Sequence, residues 1–148
     1  FRSDYYNLFV IGDETFTGGY FIVPKKCALT ESITPELKAL YATLDIDAIA
    51  AIKTFPAIFA GKNYQYCCAG GNQQAYLGFV NDISIQDNGI RVSFHLLYPI
   101  PQSRLNELAC EISIDSASAF NEFDSTHWTI KQINIIEKLR NAGLDTLL

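Results

Sequence analysis

The chain has 148 residues, 49% of them hydrophobic and 18% charged, with a formal net charge of -5. That composition excludes general disorder and fits one domain with a sizeable core. Eleven Lys and Arg, scattered along an acidic chain, disfavour nucleic-acid binding, and no apolar run approaches the roughly 20 residues of a membrane-crossing helix.

Residues 5–11 are aromatic and β-branched, which predicts a strand. Gly12, Asp13 and Glu14 read as a turn, and Gly18-Gly19 opens a second strand at 20–23 that Pro24 limits. The two strands are expected to form a hairpin. Asp13, Glu14 and Thr15 could bind an ion, but surface-turn chemistry accounts for them. Thr34 and Pro35 then supply a cap and a first helical residue. Leu37, Leu40, Tyr41 and Leu44 repeat at helical spacing and are expected to face the core. Asp45 is placed to cap a second helix with Ile46, Ile49 and Ile52 on its apolar side, and Pro56 should stop it. Residues 56–60 form a short apolar segment, 64–68 a candidate strand, and 69–73 a loop whose glycines match no phosphate-binding motif.

Residues 75–98 organise the rest of the chain. They read as strand, tight turn and strand, with Asn88-Gly89 suited to a type I′ turn. A two-residue loop there would set Asp82 opposite His95, Ser84 opposite Ser93, Ile83 opposite Phe94 and Phe79 opposite Tyr98. Pro99 and Pro101 are expected to end the second strand. Residues 102–109 make a short helix with Leu105 and Leu108 on one side, and 110–114 alternate as a further strand. Residues 115–126 read as a polar loop pinned by Phe120 and Phe123. Thr129 and Gln132 have capping-box spacing for a last helix, with Ile130, Ile133, Ile136 and Leu139 as its stripe and Gly143 as its terminator.

These elements predict an α+β class: a single compact domain over 1–148 with a mainly antiparallel, strongly curved sheet or partial small barrel and two or three packing helices. The chain opens on Phe1 with no basic-plus-apolar leader, as expected of a processed protein or a domain excised from a longer one. Cys27, Cys67, Cys68 and Cys110 fit no zinc spacing and read as reduced thiols of a cytoplasmic protein. No metal or cofactor is implied.

Two polar constellations stand out. Asp82 and His95, with Ser84 and Ser93 on the next rung, would bring an acid, an imidazole and hydroxyls together, as a small hydrolase requires. The same face is also the ordinary solvent face of a half-buried strand pair. His127, Trp128 and Thr129 at the start of the last helix would combine a donor, a stacking face and free N–H groups, a site for a small anion or nucleotide. Against both stands the plainer reading. With no catalytic motif, many aromatics and an apolar last helix, the chain is expected to be a noncatalytic protein-interaction or regulatory binding domain, engaging a protein partner or a neighbouring domain.

Overall fold

A computed structural model describes residues 2–64, 68–117 and 120–144. Its centre is a six-stranded sheet in the order β2-β5-β4-β3-β1-β8. The strands are β1 (Tyr6–Val10), β2 (Tyr20–Val23), β3 (Pro56–Ala60), β4 (Gln74–Gln86), β5 (Gly89–Pro101) and β8 (His127–Lys131). Among the described strand ladders of this sheet β1–β3 is parallel and the rest are antiparallel. β6 (Ser116–Ala117) and β7 (Phe120–Asn121) make a separate small ladder. The whole is an α+β fold with a curved, mainly antiparallel sheet, a half-barrel, and a few packing helices.

The helices divide between the faces. Helices α1 (Pro35–Tyr41) and α2 (Ile46–Ile52) place Leu37, Tyr41, Ala48 and Ile52 on one face of the sheet. Helices α3 (Gln102–Glu107) and α4 (Ile135–Asn141) place Leu105, Ile135, Ile136 and Leu139 on the other. β1 and β3 are buried along their whole length, as central strands covered on both faces are. Phe9 on β1 stacks on Phe59 of β3 at 5.3 Å and on Trp128 of β8 at 5.1 Å. This aromatic ladder joins three strands whose sequence positions are far apart.

The caps at Thr34 and Asp45 form as the sequence predicts: their side chains accept from the N–H groups of Leu37 (3.3 Å) and Ala48 (2.8 Å). The stripes are narrower than predicted. Leu40 is exposed and Ile46 is 86% exposed, because helices of about two turns rest on the sheet through only two or three residues each.

Several expectations are corrected. β1 and β2 do not pair: β1 lies between β3 and β8, and β2 adds to β5. The short apolar segment 56–60, to which the sequence pattern assigns no element, is a central strand, its continuous apolar run being the mark of burial on both faces. Residues 110–114 are turns, with Ser113 left-handed at φ 63°. The 75–98 hairpin exists, but Gln86 pairs with Gly89, and Asp87-Asn88 form the turn. Gly89 has φ 141°, and a Cβ there would lie 2.5 Å from Val23 O, so the position needs glycine on both counts.

Pro99 and Pro101 do not end β5. The Gln102 N–H to Gln73 O bond (3.0 Å) sets the phase of this ladder, so both prolines turn their missing N–H away from β4. Two register shifts, at Leu77/Gly78 and Val80/Asp82, bend β4 and β5. At the first, a Cβ on Gly78 would lie 2.2 Å from His95 O. Among the described residues no helix is long and apolar enough to cross a membrane.

Candidate functional site

The first predicted constellation does not assemble. The turn at Asp87-Asn88 places Asp82 opposite Ser93, and the register shift beyond it places His95 opposite Phe79. Asp82 is exposed and accepts from the Ile83 N–H at 2.9 Å. His95 is exposed, stacks on Phe79 at 5.7 Å, and its Nδ1 donates to Asn81 Oδ1 at 2.6 Å. Ser84 is exposed opposite Arg91, and Ser93 is half-buried between Asp82 and Tyr20. The acid and the imidazole therefore sit on different rungs, because the turn falls one residue earlier than Asn88-Gly89 and the bulge then offsets the strands by a further residue.

This open face adjoins β2, whose backbone phase follows from one bond. Phe94 donates to Gly19 O at 3.0 Å, so Gly19, Phe21 and Val23 bond toward β5. The N–H and C=O groups of Tyr20 and Ile22 then face outward. Tyr20 is 47% exposed, and the Arg91 guanidinium lies 4.2 Å from its ring centre. No other described strand pairs with that edge.

The second constellation is brought together, but not at a helix start. His127, Trp128 and Thr129 lie on β8, and the last helix begins beyond Asn134, whose side chain caps it by accepting from Glu137 N–H at 3.0 Å. Strand alternation separates the three residues. Trp128 turns to the aromatic ladder, fully buried, its Nε1 donating to Asn7 Oδ1 at 3.2 Å. His127, Thr129 and Lys131 turn to the other face, opposite Val10, Leu8 and Tyr6.

That face carries a buried ionic cluster absent from the sequence expectations. Glu122, on the 3-10 turn Glu122–Asp124, meets Lys131 Nζ at 2.8 Å and the Asp115 N–H at 2.9 Å through Oε1. Its Oε2 meets His127 Nε2 at 2.7 Å. The Glu122 and His127 side chains are each 1% exposed, and that of Lys131 is 8% exposed. His127 Nδ1 donates to Ser125 O at 2.8 Å. Burial pushes the Glu122 carboxyl up, but His127, Lys131 and the Asp115 N–H outweigh it and hold the group below its ordinary value. Burial, with help from Glu122, raises the Tyr6 phenol well above its usual range, and its hydroxyl donates to Ile112 O at 2.7 Å.

With both ring nitrogens engaged and almost no exposure, His127 is suited to holding the 115–125 segment against β8 rather than to exchanging protons with a substrate. The signal for this was the alternation of His127, Thr129 and Lys131 with Trp128 and Ile130, which marks a strand. Glu122 had no local signal, since its partners lie on another element.

Beside Lys131 opens a cleft of about 540 Å³, walled by Ser32, Ser113, Asp115, Leu37 and Ile130 among others. Ser32 O accepts from both Lys131 Nζ and Thr129 Oγ1, each at 2.9 Å. A second polar network of Asn63, Gln102, Asn106, Asn121 and Asp124 ties α3 to the same 3-10 turn. Among the described residues no three His, Cys, Asp or Glu stand close enough to share a metal ion. Comparison with known protein families, with curated proteins and with solved structures finds no match.

Proposed function

We propose that this chain is a noncatalytic, regulatory binding domain that takes an extended segment of a protein partner or neighbouring domain as an added strand on β2. The observation that carries the reading is the contrast between the sheet's edges. On the outer side of β8, Leu29 N–H donates to Trp128 O at 2.8 Å and Ala28 bridges to Trp128. β5 beyond β2 turns Pro99 and Pro101 outward, a common guard against strand addition. Among the described residues no segment covers β2 and its proline, Pro24, falls just past its end, so the outward backbone groups of Tyr20 and Ile22 can bond an incoming strand. Lys25, Lys26 and Arg91 adjoin this edge and favour acidic residues flanking the segment. The free thiols Cys27, Cys68 and Cys110 suit a reducing, cytoplasmic setting.

The test uses peptides selected from a phage-displayed library and two variants at one position. Ile22→Ala shortens the side chain and keeps the outward N–H, while Ile22→Pro removes that N–H without breaking a bond to β5. The expected result is that Ile22→Pro binds selected peptides about tenfold more weakly than Ile22→Ala, with both variants folded. Equal binding by the two variants would overturn strand addition at β2, as would a library that yields no binder.

A further inference from the structure

We infer that the cleft beside Lys131 is a binding site for a small zwitterion, an α-amino acid. The ammonium of Lys131 has three protons, and two of them meet Ser32 O and Glu122 Oε1. The third has no acceptor among the described residues, on a side chain more than nine-tenths buried in a residue that lines the cleft. Such a group is suited to a ligand oxygen. Asp115 lines the same cleft with an exposed side chain, while its backbone N–H shares Glu122 Oε1 with Lys131. One cation and one carboxylate thereby line one opening.

The charge balance selects the ligand class. A lone anion at Lys131 would face the carboxylates of Asp115 and Glu122; a lone cation at Asp115 would face Lys131. A zwitterion places its carboxylate on Lys131 and its ammonium on Asp115. The half-buried Ile33, with Leu37 behind it, offers an apolar wall to the ligand's own side chain. A cleft of about 540 Å³ holds an amino acid with room to spare. The rims also carry left-handed backbone at two non-glycine residues, Ser32 (φ 58°) and Ser113 (φ 63°). Conformations of this kind gather at ligand clamps more often than elsewhere.

The experiment follows thermal unfolding of the intact chain with each standard amino acid in turn, and with acetate or methylammonium alone, at matched millimolar concentration. At least one amino acid should raise the midpoint, and neither half-ligand should. Asp115→Asn, which alters an exposed side chain, should leave the unliganded midpoint unchanged and weaken binding at least about threefold. Lys131→Met should abolish the response if it folds, and the Asp115 variant carries the test if it does not. The inference fails if no amino acid stabilises the chain, if acetate or methylammonium does so equally, or if Asp115→Asn binds as the parent does.

Discussion

Replacing Glu122 probes the least replaceable interaction in the structure. Glu122→Leu fills the same space but leaves the Lys131 ammonium buried with only Ser32 O, and His127 Nε2 with no partner. Breaking a buried ion pair in this way costs about 3–5 kcal/mol. At about 2–4 °C per kcal/mol for a chain of this size, the midpoint should fall by about 6–20 °C. Glu122→Gln should cost less, about 1–3 kcal/mol, because its oxygen still accepts from Lys131 and its amide can donate to a neutral His127. The pH dependence separates charge from shape. The folded-state pKa of Glu122 lies below its ordinary value, so its contribution is complete above the ordinary carboxylate range. It is lost as pH falls through the lower, folded value. The parent should therefore lose stability on acidification below about pH 4.3, and Glu122→Gln should lose less over that interval. Urea unfolding followed by the fluorescence of Trp128, the single tryptophan, measures both effects. Matching pH slopes for the parent and Glu122→Gln would refute the role given to the carboxylate. A Glu122→Leu protein within about 0.5 kcal/mol of the parent would refute the buried cluster itself.

The two histidines should behave as opposites. His127→Ala removes a fully buried ring from Glu122 and should cost about 2–4 kcal/mol, whereas His95→Ala on the open face should stay within about 0.5 kcal/mol in the same urea titration. Gly78→Ala sets a methyl against the His95 carbonyl at the first register shift and should cost at least about 2 kcal/mol; an unchanged midpoint would mean the strands do not approach there as described.

What could be read from the sequence was local chemistry. Thr34, Asp45 and the Gly143 terminator act within a few residues of their partners, and Leu144 N–H closes the last helix onto Leu139 O at 3.0 Å. The 75–98 hairpin was legible for the same reason. Its register was not, since it depends on Gly89 meeting Val23 and on two bulges that only the curved sheet requires. Placement in the sheet was also hidden. β1 pairs with β3 and β8, at separations of about fifty and about 120 residues, and no short-range pattern encodes such partners. The last helix forms, but its predicted start at Thr129 failed through competition between two readings. Thr129 and Gln132 have capping-box spacing, but Trp128 and Ile130 on one side of the strand bury more apolar surface as part of the sheet than they could on a helix of two turns.

The position of the ionic cluster follows from that outcome. Once β8 joins the sheet, strand alternation sends His127, Thr129 and Lys131 together to one face, beside the apolar Val10, Leu8 and Tyr6 of β1. Burial of two basic side chains there requires an anionic acceptor, and β8 itself offers no carboxylate on that face. The acceptor has to come from outside the sheet, and the 3-10 turn brings it as Glu122, held in place by the Asp115 N–H and by the Asn121–Asp124 capping box. Stability alone does not call for this arrangement, because an apolar face on β8 would pack at no desolvation cost. The cluster does something that an apolar face would not: it fixes Lys131 beside a cleft with its charge balanced from below and one proton unmatched among the described residues. A surface lysine would leave that charge in water and its side chain free to rotate. The buried one is already ordered before any ligand arrives, which removes part of the entropy cost that a flexible cation would add to binding.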